Sequence, residues 1–90
     1  MTLTWDEAKR QRTLAARGLD FADAAEVFAG VTHTYEDSRR IYPERRFIAV
    51  GFLKGRLVVL VYTPRGRGRH IISMRKANAR EQKLYQGEVD

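Results

Sequence analysis

The chain has 90 residues, 43% of them hydrophobic, and a formal net charge of +6. That length fits one domain over residues 1–90, and the apolar content is too high for a disordered chain. With no cysteine, disulfide staples and Cys-type zinc sites are excluded and the cytosol is the natural compartment; two histidines argue against a histidine metal cluster, and no cofactor is expected. No apolar run approaches the ~20 residues that span a bilayer, and the opening "MTLTWDEAKR" holds no apolar signal core.

In chain order, Leu3–Trp5 reads as a short first strand. Asp6 then sits as an N-cap, Glu7 suits a helix N-terminus, and Gly18 suits a C-cap, so a helix is predicted over 6–17. Its apolar face (Ala8, Leu14, Ala15) is thin, which keeps it on the surface. A second helix follows Asp20, with Phe21, Ala24, Ala25 and Phe28 at helical spacing and Gly30 at its end. Val31–Tyr35 alternates and reads as a strand, and Glu36–Arg45 as a polar loop with a proline. "RFIAVGFL" and "RLVVLVYT" are the clearest strands, and Lys54-Gly55 between them marks an antiparallel hairpin. Pro64–Gly68 is a Gly-rich cationic turn into another strand, Arg69–Arg75. Asn78, with Glu81 three residues on, is close to a capping box and opens a last helix. The order predicts an α+β fold: an antiparallel β-meander of about four strands, with two helices N-terminal to it and one C-terminal. Phe47, Val50, Leu57, Val59, Leu60, Val61, Ile71 and Ile72 are expected to supply most of the core.

Charge is distributed unevenly. Residues 1–38 carry four Lys/Arg against seven Asp/Glu, residues 39–76 carry eleven against one, and residues 77–90 carry two against three. Such a basic middle points to a polyanionic partner. Simple alternation puts Arg69, Ile71, Ser73 and Arg75 on one side of their strand and His70, Ile72 and Met74 on the other; Val58, Leu60 and Tyr62 share a face, as do Arg46, Ile48 and Val50. Arginines neutralise phosphate, and tyrosines (35, 42, 62 and 85) stack on unpaired bases, so RNA fits this basic surface. Cutting RNA without a metal needs a base for the 2′-OH, a cation for the phosphorane and an acid for the leaving 5′-oxygen. His70 titrates near neutrality and suits the base or acid. Arg46 and Arg75 suit the cation, and Tyr62, Glu81 or Lys9 suit further proton transfer. Lys9, Arg65, Arg67, Arg69, Ser73, Lys76 and Tyr85 are candidates for holding RNA. Plainer roles compete: His70 as a phosphate-binding rim residue, Arg46 paired with Glu44 or Glu81, Tyr85 packing the last helix, His33 structural or on the surface. "PRGRGR" is neither a P-loop nor a dinucleotide fingerprint.

"TWDEAKRQRTLAARGLDFADAAEVF", "RRFIAVG", "RLVVLVYTPRG", "HIISMRKA" and "REQKLY", in that order, resemble the BrnT family of toxins of type II toxin–antitoxin systems. The resemblance implies a RelE-like ribonuclease fold, endoribonuclease activity on mRNA that halts translation and growth, and neutralisation by a BrnA-type antitoxin. Any contact with DNA would run through the antitoxin. Trp5, Asp6 and Lys9 match the family's first motif, Arg46 its second-strand arginine, and Ser73, Arg75, Lys76, Ala77, Glu81 and Tyr85 its final motif. Two positions depart. The family's usual "KHG" is Ala16-Arg17-Gly18 here, and His70 stands where an arginine usually precedes "IIS". The first change removes a candidate acid/base and the second supplies one elsewhere. The departures keep open a non-catalytic nucleic-acid- or antitoxin-binding module; a plain protein-interaction domain with a basic face is a third reading.

Overall fold

The computed structural model describes residues 2–89. Its elements are β1 (Leu3–Trp5), α1 (Glu7–Arg17), a 3-10 turn (Phe21–Asp23), α2 (Ala24–Ala29), β2 (His33–Glu36), β3 (Phe47–Leu53), β4 (Arg56–Arg65), β5 (Gly68–Lys76) and α3 (Ala79–Val89). The five strands form one sheet in the order β1-β5-β4-β3-β2. The fold is α+β, but the sheet is mixed rather than a four-stranded antiparallel meander. β1 pairs parallel to β5, through Leu3 opposite Arg69 and Trp5 opposite Ile71, while the other pairs are antiparallel.

Local signals account for the ends of most elements. The Asp6 carboxylate accepts from Lys9 N at 3.0 Å, and Gly18, at φ 68°, donates its N–H to Leu14 O. The hairpin between β3 and β4 turns on Lys54 and Gly55 at φ 51° and 78°, the paired left-handed conformation of a tight β-turn. At α3 the Asn78 side chain accepts from Glu81 N at 2.8 Å, and Glu81 Oε1 accepts from Asn78 N at 3.0 Å, a complete capping box. The hairpin of β4 and β5 is longer than expected. Its strands run to Arg65 and from Gly68, so Pro64–Gly68 is mostly strand, with the turn at Gly66-Arg67.

The second helix differs from its sequence pattern. Asp20 caps a 3-10 turn by accepting from Ala22 N, and only Ala24–Ala29 is α-helical. Phe21, Ala24 and Val27, spaced three apart across the 3-10 turn and the first turn of α2, are all fully buried, while Ala25 is exposed. These side chains and Leu19 pack on one side of the sheet against Ala49, Leu53, Val58, Leu60, Tyr62, Ile71 and Met74. α1 buries no residue, as its thin apolar face required. The other side of the sheet carries a smaller cluster of Ile48, Val50, Leu57 and Val59 with Ala77, against which Tyr85 of α3 packs. Val50, Leu57, Val59, Leu60 and Ile71 are buried as expected; Phe47, Val61 and Ile72 are only half-buried.

One irregularity decides where β5 points its side chains. Tyr62 pairs with Ile71 but Val61 pairs with Ser73, so Ile72 is an extra residue in a β-bulge. Alternation therefore shifts phase. Arg69 and Ile71 lie on the side packed by α2, while His70, Ser73 and Arg75 share the opposite side; the expected grouping of Arg69 with Ser73 and Arg75 is not what forms. The side carrying His70 is covered by α3 at one end only, which leaves a groove.

Candidate functional site

Three adjoining cavities run along β5 on the side it presents away from α2. At one end Asp6 and Lys9 of the first helical turn, Arg46 before β3, Thr63 and Arg65 of β4 and His70 enclose about 270 Å³. A second cavity of about 270 Å³ lies between α1 (Lys9, Arg12, Thr13, Arg17) and Ile72-Ser73 of β5. The third, about 380 Å³, has Ile48, Val59 and Val61 as its floor and Tyr35, Arg39, Ser73, Arg75 and Glu81 among its walls. Lys9 and Ile72 line both of the first two, and Ser73 lines the second and third, so the three form one groove.

His70 sits in the first cavity with its Nδ1 2.8 Å from Thr4 Oγ1. Partial burial, with the charges of Arg65 and Lys9, holds its pKa below the usual 6.5 against the opposing pull of Glu44 and Asp6. Burial and these cations therefore favour the neutral ring over the imidazolium. Arg46 stacks on Tyr42 at 4.2 Å and, among the described residues, makes no ion pair. The carboxylates considered for Arg46 are taken by others: Arg65 bonds Glu44 at 3.2 Å, and Arg75 forms a two-pronged pair with Glu81 at 2.7 and 2.7 Å. The guanidinium draws the Glu81 pKa down from 4.5 to about 2.

The wall opposite β5 is the segment between β2 and β3, anchored by Asp37. Its carboxylate, 1% exposed, accepts from Arg39 Nε at 2.8 Å and Nη2 at 2.7 Å and from Tyr42 OH at 3.1 Å. These bonds hold its pKa well below the usual carboxylate range. At the α3 end, Tyr35 stacks with Tyr85 (6.4 Å between centroids), and burial followed by the contact with Tyr85 raises the Tyr35 pKa to about 12. His33 joins this cluster and pairs with Glu88 at 2.8 Å, a link between β2 and α3 at a position expected to be structural or on the surface.

The groove gathers Lys9, Arg46, Arg65, His70, Ser73, Arg75 and Glu81, with Tyr85 behind Tyr35. Four candidates lie elsewhere. Tyr62 is buried on the α2 side, edge-on to Phe28 at 5.3 Å and stacked with Phe47 at 5.7 Å. Arg69 lies over Phe28 and Tyr62 on that same side, at 4.0 and 5.2 Å. Arg67 is at the hairpin tip, and Lys76 lines a separate cavity with Arg56 and Gln82. The sequence reading missed Arg12 and Arg17 as groove residues, although positions 9, 12, 13, 16 and 17 form a helical stripe that was there to be read. It also missed Thr4, Asp37 and Arg39, for which no local motif exists.

Among the described residues no cluster of three or more His, Asp or Glu side chains could hold a metal, and no helix is long and apolar enough to cross a membrane. The arrangement is an imidazole among the cations of Lys9, Arg46 and Arg65 and the carboxylates of Asp6 and Glu44, beside a floor of apolar strand residues. A search of curated proteins returned no match. The family model described as "Ribonuclease toxin, BrnT, of type II toxin-antitoxin system" matches residues 5–81, from the end of β1 into the first turn of α3. The chain belongs to the BrnT family of ribonuclease toxins of type II toxin–antitoxin systems.

Proposed function

We propose that this chain is a metal-independent endoribonuclease that cleaves mRNA in the β5 groove and is neutralised by a BrnA-type antitoxin. The observation that carries the reading is His70 in a cavity with Lys9, Arg46 and Arg65; burial and those cations disfavour its charged form. In the tautomer whose Nδ1–H donates to Thr4 Oγ1, Nε2 takes the 2′-OH proton. The 2′-oxygen then attacks phosphorus, the bond to the 5′-oxygen breaks, and the products are a 2′,3′-cyclic phosphate and a 5′-hydroxyl. Arg46 holds the doubly charged phosphorane, a kind of contact whose loss costs about 10²–10³ in rate. Lys9 gives the proton to the leaving oxygen. Arg65, Arg12 and Arg17 guide the backbone into the groove. Tyr62 and Arg69, on the opposite side of the sheet, have no part in this reading.

The antitoxin is expected to cover the groove or its rim with an acidic or amphipathic segment, and contact with DNA runs through the antitoxin alone. Inducing the chain by itself tests the reading. Growth stops with the wild type and continues with Arg46→Ala or His70→Gln, or when the antitoxin is co-expressed; normal growth with soluble wild-type protein counts against it.

One observation favours a non-catalytic binding module instead. Arg17, at the position where the resembling family usually has histidine, donates to Met74 O at 2.9 Å and so ties α1 to β5. That module would bind RNA with a steep salt dependence and leave it intact in chelator.

A further inference from the structure

The groove is not uniform in charge. Its α1 part is lined by Lys9, Arg12 and Arg17, with no carboxylate among the described lining residues. Its third cavity balances Arg39 and Arg75 against Glu36, Asp37 and Glu81 over a floor of Ile48, Val59 and Val61. The phosphate backbone belongs in the first environment and in the adjoining His70 cavity, where Lys9, Arg46 and Arg65 outnumber Asp6 and Glu44. The second suits a flat, uncharged heterocycle: apolar side chains below it, the ring of Tyr35 (39% exposed) at its side, and polar groups at its edge.

Those polar groups are built to read an edge. Arg75 donates to both oxygens of Glu81 and, more weakly, to Lys76 O at 3.4 Å, while Asn78 N donates to Glu81 Oε1. Further N–H groups on the guanidinium and a lone pair on Glu81 Oε2 take no part in these bonds. A donor thus lies directly beside an acceptor, which is the complement of the alternating donors and acceptors on the pairing edge of an unpaired base. Along β5, Arg75 is five residues from His70, no more than about 17 Å at strand rise, and Ser73 lies between them. That span is comparable to a dinucleotide.

We propose that the cavity between Tyr35 and the Arg75–Glu81 pair is a nucleobase pocket, which selects the base next to the phosphate cut at His70. It rests on the ribonuclease reading for the position of that phosphate, but the pocket itself can be tested without cleavage. The four ribonucleosides, which carry no phosphate, are titrated into the wild-type chain and followed by amide NMR; inorganic phosphate is titrated separately. The expected result is that one or more nucleosides shift Tyr35, Val59, Val61 and Ser73, and that phosphate shifts Lys9 and His70. Tyr35→Leu, which keeps apolar bulk at an exposed position, removes the nucleoside shifts and spares the phosphate shifts. Nucleosides that shift nothing, or that shift the His70 cavity, overturn the proposal. Cleavage mapping supplies the second arm: Glu81→Gln changes the ratio of cleavage between preferred and other bases by about tenfold or more. An equal loss of rate at every site means that the pair acts on the phosphate, and also overturns the proposal. A wild type that cuts no RNA yet binds nucleosides in this pocket removes the ribonuclease reading alone.

Discussion

Glu81→Gln isolates the charge of the Arg75–Glu81 pair, because glutamine can still close the capping box with Asn78. The Glu81 carboxyl has a pKa of about 2 in the fold against an ordinary 4.5. At full weight a shift of that size is worth about 3 kcal/mol. Glu81 is 21% exposed but Arg75 is 44% exposed, so solvent screening brings the contribution to about 1–2 kcal/mol. Because the folded pKa is depressed, the contribution is fully present above pH 4.5 and fades as pH falls through about 2. Urea unfolding at a series of pH values measures it. At pH 7 the variant is expected to be about 1–2 kcal/mol less stable than the wild type, equivalent to a melting temperature lower by roughly 5–15 °C. The gap should narrow steadily from pH 5 to pH 2.5. A gap that stays constant with pH, or no gap at pH 7, refutes the view that this ion pair fastens α3 to the end of the groove.

Arg65→Gln removes a cation that depresses His70, so the acid limb of the pH–rate profile should move to higher pH; an unmoved limb means that His70 is not the titrating base. Thr4→Val deletes the bond that orients the His70 ring and should slow cleavage about fivefold, the rate equivalent of about 1 kcal/mol, with folding stability close to unchanged. At Gly68 a Cβ would collide with the Thr2 carbonyl, so Gly68→Ala should push β1 off β5, measured as faster amide exchange at Arg69, which donates to Thr2 O at 2.9 Å. Tyr62→Phe should leave the cleavage rate within about twofold, since the ring faces Phe28 and Phe47 rather than the groove.

Where the chain carries a chemical reason for a boundary, the fold was legible. Asp6 and Gly18 bracket α1, Lys54-Gly55 turns the first hairpin, and Asn78 with Glu81 starts α3, each through short-range bonds that residue type dictates. Long-range effects were not legible. Nothing in two successive isoleucines says that Ile72 will bulge, yet the bulge puts His70 on the same side as Ser73 and Arg75. Likewise Val58, Leu60 and Tyr62 were correctly placed on one face, but which face the helices would cover is settled by the packing of Phe21 and Val27. That packing buried Tyr62 and left His70 facing the groove. The basic residues of the middle segment pointed to a polyanion, but partner choice among charges is three-dimensional. Glu44 and Glu81 went to Arg65 and Arg75, leaving Arg46 on Tyr42.

Incubating the purified chain with a ribo-oligonucleotide in excess chelator, and analysing the ends of the fragments, bears most directly on the groove as a cutting site. The expected products are fragments ending in 2′,3′-cyclic phosphate and 5′-hydroxyl, with no cut where the adjacent ribose is 2′-deoxy and a rate about 10²–10⁴-fold lower for His70→Gln, the usual range for a lost general base. Intact RNA with the wild type, or equal cutting by His70→Gln, contradicts it.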